Sequence, residues 1–422
     1  MENTALENGA FTEGSNRNTV LRFAVMADVH FTPRNASTVP QRFAHAIERF
    51  YKTAQADKTH NTLDALVFVG DFAEKHKPEE FNMVKDALCK YVKPETKVLA
   101  CLGNHEYFPQ NNGGGEPVDS YEAVEYLTEC FGIESLDTSI DINGFRFILN
   151  SLRCDVQNRT YWKDTDNIDW IKQKVDEAAA ADPRKPIFTF SHIPLKNTVA
   201  TTFFSGWWFD RGYGAPYEIY KNYSQIVNFT GHDHYPFNFE NSIHQKDFTT
   251  VVGGHLSVGC AGIDDICFLQ TAQCLLVEVD KNNTVTIKRY DVIAKEFLEE
   301  DWIIEEPSDR NGFRYTDRVN KYKDLTFDRP DAVTFVEKED GVEVSIKAIK
   351  SDPNIIYYRI GVCKDGQEVT KLLVASDVWL KNPPDIYVKH VPLEKGIKYT
   401  LNVIAVDSFN NKSNTVSKSF KL

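Results

Sequence analysis

The chain has 422 residues, of which 42% are hydrophobic and 12% aromatic, and its formal net charge at pH 7 is -13. This length exceeds that of one ordinary domain, and the apolar content is enough for buried cores, which excludes a wholly disordered chain. The acidic balance argues against nucleic acid or an anionic membrane as the partner.

No apolar run approaches the roughly 20 residues that a membrane helix needs, so we expect a soluble protein. Residues 1–19 are polar, lack the apolar core of a signal peptide, and predict a flexible tail. Both a cytoplasmic location and an extracytoplasmic one with a removed leader stay open. The oligomeric state also stays open, with a dimer among the alternatives.

Apolar strands alternate with helical patterns over the first part of the chain, which is typical of an α/β architecture. The predicted strands are 21–27, 65–69, a run that starts at 97, 145–149, 186–190 and 225–230. The predicted helices are 41–57, 79–91, 121–131 and 168–181. We assign residues 20–300 to one catalytic domain on this basis.

Further strands are predicted near 249–258, 274–279 and 284–290, and we expect all three in a second sheet. The polar stretch 301–331 predicts a linker or strap. Residues 332–422 show short alternating strands, turn residues and no helical period, which predicts a small all-β sandwich. This segment resembles fibronectin type III or immunoglobulin-like modules.

Five of the apolar strands end in polar side chains that can bind a metal. These tips are Asp28-x-His30, Gly70-Asp71, Gly103-Asn104-His105, His192 and Gly231-His232-x-His234. Residues i and i+2 of an extended segment point to the same side, so each Asp-x-His or His-x-His pair shares a face. A single histidine at a strand end is usually structural, but five such tips in one order point jointly to a site.

Gathered at one sheet edge, these tips supply more ligands than one tetrahedral zinc accepts. They suit two adjacent metals that share a carboxylate, which are about 3.5–4 Å apart in such sites. We therefore expect two divalent ions, chosen among manganese, iron and zinc.

The ordered tips resemble the motif string of the calcineurin-like metallophosphoesterase superfamily, over about residues 21–290. The resemblance implies a four-layer αββα sandwich with the metals at the carboxyl ends of the strands. The implied ligands are Asp28, His30 and His234 for one metal, Asn104, His192 and His232 for the other, and Asp71 as the bridge. His105 matches the histidine that contacts the phosphoryl oxygens or protonates the leaving group.

The resemblance implies phosphoester hydrolysis by a hydroxide that bridges the metals. Glu74 stands where purple acid phosphatases have a tyrosine, and Leu102 stands where Ser/Thr protein phosphatases have an arginine. The C-terminal segment does not resemble the specificity domain of 5'-nucleotidases. The motif string is similar to that of class III cyclic nucleotide and glycerophosphodiester phosphodiesterases, so we expect a phosphodiester, or else a phosphomonoester, as substrate.

The alternative hypothesis is a binding or scaffold protein that works through its C-terminal β-sandwich. All the ligand positions retain metal-competent residues, which argues for an enzyme. Glu106 reads either as a support for a ligand histidine or as a solvated side chain. We expect His60, His76, His244 and His390 at the surface, and His255 as a hydrogen-bonded loop residue.

Overall fold

The computed structural model describes residues 18–108, 116–158, 160–163, 167–199, 202, 215–260, 267–316 and 318–422. It shows an α/β region followed by an all-β C-terminal region, as predicted. The predicted tail, residues 1–19, lies almost wholly outside the described residues. Among the residues described, no helix has the length and apolar character needed to cross a membrane.

The elements are numbered in chain order. The helices are α1 (Val39–Ala56), α2 (Pro78–Tyr91), α3 (Ser120–Phe131), α4 (Ile168–Ala181), α5 (Ala215–Tyr220) and α6 (Arg318–Lys321). The strands of the first half are β1 (Thr19–Met26), β2 (Ala65–Val69), β3 (Lys97–Cys101), β4 (Asp137–Ile142), β5 (Phe145–Asn150), β6 (Arg153–Asp155), β7 (Thr160–Lys163), β8 (Ile187–Ser191) and β9 (Ile226–Thr230).

The strands that follow continue the same numbering. Those that precede α6 are β10 (Ile243–Gln245), β11 (Thr249–Val252), β12 (Gly259–Cys260), β13 (Cys267–Leu269), β14 (Gln273–Asp280), β15 (Val285–Asp291), β16 (Glu296–Phe297) and β17 (Trp302–Ile304). Those of the C-terminal region are β18 (Val333–Lys338), β19 (Gly341–Lys347), β20 (Ile355–Lys364), β21 (Gln367–Ala375), β22 (Ile386–Pro392), β23 (Lys398–Asp407) and β24 (Val416–Lys421).

The first sheet has the order β16-β15-β14-β1-β2-β3, with β17 paired to β15. Strands β1, β2 and β3 run parallel, whereas β14 pairs antiparallel with β1. The expectation that 274–279 and 284–290 lie in a second sheet is therefore wrong. The β14–β15 hairpin instead pairs through β14 with the edge of β1 that β2 does not occupy. Local sequence pattern does not predict such a long-range pairing.

The second sheet has the order β10-β11-β9-β8-β5-β4, with β5, β8, β9 and β11 parallel. Here the predicted strand near 249–258 is present as β11. Parallel strands end at a common edge, and binding sites in such sheets form outside the carboxyl ends of the strands. The strand tips that carry the candidate ligands therefore lie close together, at the carboxyl ends of β1, β2, β3, β8 and β9.

Three apolar clusters hold the α/β region together. One lies between the two sheets and includes Phe23, Val67 and Phe190. The second joins the other face of the first sheet to α1, α2 and α3. The third joins α4 and α5 to the second sheet. Because both faces of the central strands are covered, these strands are apolar throughout rather than alternating.

The C-terminal region contains two antiparallel sheets, ordered β18-β19-β22 and β21-β20-β23-β24, around a separate apolar cluster. It is docked on the α/β region, since Trp379 packs against Phe239 with ring centroids 6.1 Å apart. The backbone N–H of Glu240 also donates to Asn354 Oδ1 at 2.8 Å. The two regions therefore share a packed and hydrogen-bonded junction.

Candidate metal centre

Backbone geometry at the strand tips is unusual. Five of the proposed ligands have left-handed φ values: Asp28 (48°), His30 (50°), Asp71 (52°), His232 (72°) and His234 (50°). Residues with a β-carbon adopt this conformation at a cost, and such strain concentrates at functional sites. The surrounding sheets hold these residues so that their side chains converge.

Two glycines make the convergence possible. A β-carbon on Gly70, whose φ is +77°, would lie 2.4 Å from His192 Nδ1. A β-carbon on Gly103 would lie 2.2 Å from Asp71 Oδ1. Only glycine fits at these positions, because the backbone runs directly against the site residues.

One group of potential ligands consists of Asp28, His30 and His234. Asp28 Oδ1 lies 3.2 Å from His234 Nε2 and 4.0 Å from His30 Nε2. The two imidazole Nε2 atoms are 3.1 Å apart. All three residues come from the tips of β1 and β9, and their ligand atoms lie close together. The expected extended backbone is absent at Asp28 and His30, whose φ values are left-handed.

A second group consists of Asp71, His192 and His232. Asp71 Oδ2 lies 3.0 Å from His192 Nε2. The same oxygen lies 3.9 Å from His30 Nε2, which belongs to the first group. Asp71 is therefore the carboxylate that lies between the two groups.

The donor atoms fit divalent cations. The ring Nδ1–H of His192 donates to Val69 O, and that of His234 donates to Val258 O, each at 2.8 Å. These bonds fix the tautomer and leave Nε2 as the ligand atom, as in most metal-bound histidines. Asn104 Oδ1 is buried without a hydrogen-bond partner among the described residues, and an amide oxygen in that state suits a cation.

The charge of the centre also favours cations. Burial disfavours an imidazolium, yet the carboxylate of Asp71 raises the pKa of His192 to about 10. In the same way Asp28 overcomes burial and raises the pKa of His234 to about 9. The carboxylates thus stabilise positive charge inside the cluster, and they would stabilise a metal ion by the same electrostatic attraction.

His105 follows Asn104 in a short 3-10 turn, His105–Tyr107. Its ring Nδ1 is 2.8 Å from the carbonyl oxygen of Glu74, so Nδ1 carries a proton and donates it. Nε2 lies 4.0 Å from Asp71 Oδ2, and the side chain is 23% exposed. Burial lowers the pKa of His105 below its ordinary value.

Glu106 is fully buried, so the solvated alternative for this residue is wrong. Its carboxylate accepts hydrogen bonds from the backbone N–H groups of Asp71 (2.9 Å), Ala73 (3.0 Å) and Gly103 (2.7 Å). Burial and the nearby Asp71 raise its pKa to about 8. Glu106 therefore ties the β2 and β3 tips to each other and holds Asp71 in place.

His76 was expected at the surface, and this expectation is wrong because the residue is only 3% exposed. Its Nδ1 is 2.8 Å from Glu106 O, and its ring packs edge-on against Tyr126 at 4.6 Å. His76 therefore supports the loop behind the metal centre.

A cavity of about 610 Å³ opens over the centre. The described residues that line it are His30, Thr32, Arg34, Asn35, Asp71, Glu74, Asn104, His105, Phe108, Ile193, His232, His234, Ser257 and Val258. Six of the eight predicted site residues line this cavity. The other two contact lining residues: His192 contacts Asp71, and Asp28 contacts His234.

Sequence reasoning missed Glu74 as a member of the site. Its Oε2 lies 2.9 Å from His30 Nδ1, and it forms a third group of potential ligands with His30 and His105. The signal was its place three residues after Asp71 on the same tip. Thr32, Arg34 and Asn35, which follow the first tip, were missed because a turn returns them to the cavity.

Comparison with protein families gives a match to the calcineurin-like phosphoesterase model over residues 21–236. That segment is about half of the chain and contains every strand tip described above. No curated protein matches the sequence.

Solved structures give remote similarities. A purple acid phosphatase from yellow lupin (Lupinus luteus) seeds is 14% identical, with a TM-score of 0.46 over 68% of this chain and 53% of that one. A Mycoplasma pneumoniae phosphatase is 12% identical, with a TM-score of 0.30 over 69% and 95%. A putative 5'-nucleotidase from Staphylococcus aureus is 13% identical, with a TM-score of 0.37 over 82% and 74%. The chain thus spans about half the length of the lupin enzyme.

Proposed function

The chain belongs to the calcineurin-like phosphoesterase family, and on that premise we propose that it is a hydrolase of phosphodiesters, and of phosphomonoesters, that uses two divalent cations. Manganese, iron and zinc all accept the oxygen and imidazole ligands of this site. The activity class follows from the family, whereas the number of cations and the diester preference are our proposal.

The observation that carries the proposal is the position of Asp71 between the two ligand groups. Its Oδ2 atom lies 3.0 Å from His192 Nε2 and 3.9 Å from His30 Nε2. A carboxylate shared in this way favours a pair of cations over one. We assign Asp28, His30 and His234 to one cation, Asn104, His192 and His232 to the other, and Asp71 to both.

Two bound cations would neutralise the phosphate oxygens and lower the pKa of a bound water. The reaction adds the oxygen of water to phosphorus and breaks the bond from phosphorus to the leaving oxygen. His105 has its Nδ1–H held by Glu74 O, which aims Nε2 into the cavity. We assign His105 contact with the leaving oxygen through Nε2, which gives that oxygen a proton when the ring carries protons on both nitrogens.

The wider architecture supports this assignment. We propose that the α/β region, residues 20–300, forms the four-layer αββα sandwich, on the evidence of three apolar clusters that alternate with the two sheets. We further propose a strap at 301–331 and a fibronectin type III or immunoglobulin-like sandwich at 332–422. The two antiparallel sheets around one core support the last assignment.

The test compares Asp71→Asn with the exposed control Asp328→Asn after loading with Mn²⁺, Fe²⁺ or Zn²⁺. We expect Asp71→Asn to lower turnover of bis(p-nitrophenyl) phosphate and p-nitrophenyl phosphate by about 10³-fold, since charge stabilisation of this kind has that size. The control should match wild type. Unchanged turnover in Asp71→Asn would refute the proposal, and a wild type inactive with every metal would favour the binding-protein alternative.

A further inference from the structure

Arg34 is the one lysine or arginine among the described residues that line the cavity over the metal centre. The remaining lining is made of histidines, carboxylates, neutral polar groups and three apolar side chains, Phe108, Ile193 and Val258. In a chain with a net charge of -13, a permanent cation beside an acidic cluster stands out. We therefore expect the Arg34 guanidinium to bind a ligand or to pair with a nearby side chain.

Arg34 has no partner in the part of the chain that the structure describes. Its guanidinium makes no hydrogen bond or ion pair with any described residue. Of the two acids in the lining, Asp71 belongs to the ligand groups, and Oε2 of Glu74 lies 2.9 Å from His30 Nδ1. The five donors of Arg34 are therefore available to a molecule in the cavity.

The turn that carries Arg34 is rigidly built. Pro33 opens a 3-10 turn, Pro33–Asn35, and fixes its first φ angle. Asn35 Nδ2 donates to His30 O at 2.7 Å, and Asn35 Oδ1 accepts from the backbone N–H of Thr32 at 3.2 Å. These bonds tie the base of Arg34 to a metal-ligand residue, which lowers the entropic cost of using the side chain in binding.

Arg34 is more exposed than the residues of the candidate metal centre. Asp28, Asp71 and His192 are buried to 1% exposure or less, whereas Arg34 is exposed. The cavity volume of about 610 Å³ is in the range of small-molecule sites, roughly 300–1,000 Å³, and far exceeds one phosphate group. The cavity therefore has room for a leaving group beside a phosphate at the centre, and Arg34 lines that same cavity.

We propose that Arg34 binds a second anionic group, carried by the leaving group of the substrate, so that the substrates are phosphoesters with an anionic leaving group. A carboxylate and a phosphate both match the planar fork of an arginine. This inference rests on the proposed function, because it assumes that the metal centre holds the scissile phosphate.

The test uses three flexible substrates that differ at one end: butyl phosphate, 4-(phosphonooxy)butanoate and butane-1,4-diol bisphosphate, each also as its methyl diester. The metal-loaded wild type should prefer the substrates with a second anion by about tenfold in kcat/KM, a typical effect of one charge-assisted bidentate contact. Arg34→Ala should reduce that ratio to about one through KM, and Arg34→Lys should keep part of it. Arg184→Ala removes an exposed arginine far from the cavity and serves as the control.

Binding of non-hydrolysable ligands gives a second readout. We expect 5-phosphonopentanoate to bind the metal-loaded protein about tenfold more tightly than pentylphosphonate in calorimetry, and Arg34→Ala to remove the difference. A wild type without preference would overturn the inference, as would an equal loss for all substrates in Arg34→Ala, which would place the arginine on the scissile phosphate. A wild type inactive with every metal would refute the proposed function, and the binding pair would then decide the role of Arg34 by itself.

Discussion

The two ends of strand β1 both bury charge, and they do so in opposite ways. Arg22 lies near the start of the strand and is 1% exposed, whereas Asp28 lies just past its end and is fully buried. They are only six positions apart in the sequence. The difference between the two environments distinguishes a structural buried charge from one that belongs to a site.

At the amino end, the buried charge is satisfied by the protein itself. Arg22 pairs with Asp57 and Glu278, each at 2.7 Å, and donates to the carbonyl oxygens of His60 and Thr62. The backbone there is ordinary strand. A buried ion is tolerated when its donors are all paired in this manner.

At the carboxyl end, the buried charges lie on a strained backbone, beside a buried polar atom that is left unpaired. Asp28 has a φ of 48° and Asp71 one of 52°, and Asn104 Oδ1 is without a hydrogen-bond partner among the described residues. Strained backbone and an orphaned buried oxygen both cost stability. Such features are typical of functional sites, which supports the proposed placement of the metal centre at this end.

The largest expected effect is at the carboxyl end. His105→Ala should lower turnover of bis(p-nitrophenyl) phosphate by about 10²–10⁴-fold while both cations are retained, because general acid catalysis has this size and His105 is not in the assigned ligand set. Steady-state kinetics and metal analysis of the same sample check this. The control is His60→Ala at the amino end, which should keep wild-type turnover, and loss of metal in His105→Ala would contradict the assigned role.

At the amino end, the expected effect is on stability alone. Arg22→Met leaves Asp57 and Glu278 without their buried partner and should lower the free energy of unfolding by about 3 kcal/mol. Turnover per folded molecule should not change, since Arg22 lies at the far end of the strand. Urea denaturation followed by circular dichroism gives the free energy, and a large loss of turnover at full folding would break the contrast between the two ends.

Glu74 offers a smaller effect at the carboxyl end. Its carboxylate lies 2.9 Å from His30 Nδ1 and orients the ring of a proposed ligand. Removing such a partner typically costs about 10–100-fold in metal affinity, so Glu74→Ala should weaken the binding of Mn²⁺ by that factor. Equilibrium dialysis measures the affinity, and Glu74→Gln should restore part of it because the amide oxygen still accepts from Nδ1–H.

The smallest effect is the pH dependence of the ion pair at the amino end. Burial acts to raise the pKa of Asp57, but hydrogen bonds from Thr59 and Arg22 outweigh it and lower that pKa below its usual range. The folded pKa is thus below the unfolded value of about 3.9, so the stabilisation is present above about pH 4 and is lost as pH falls further. Solvent screening at this partly exposed pair limits it to about 1 kcal/mol. In Asp57→Asn, the decrease in the free energy of unfolding below about pH 4 should be smaller by about 1 kcal/mol.

Local pattern was sufficient for most elements of the α/β region. Helix α4 has the bounds predicted from its period, 168–181, and β2 those predicted from its apolar run, 65–69. Periodicity is a local property and survives in the sequence. Sheet membership is not local, because the pairing of β14 with β1 joins segments about 250 residues apart, and the prediction for the β14–β15 hairpin is wrong for that reason.

The tips were recognisable for a similar reason, since each carries metal-competent residues directly after an apolar run. The sequence did not predict the residues that reach the site through turns or through packing. Arg34 enters the cavity by a 3-10 turn, and the loop residue His76 is buried against Tyr126 of α3. Neither arrangement leaves a periodic signal in the sequence.

We propose that Asp71 joins two cation sites, and the stoichiometry of metal binding tests this assignment. Equilibrium dialysis of the metal-free chain against Mn²⁺, followed by elemental analysis, should give two equivalents per chain in the wild type and fewer than two in Asp71→Asn. One equivalent or none at saturation in the wild type, or two equivalents retained in Asp71→Asn, would contradict the account.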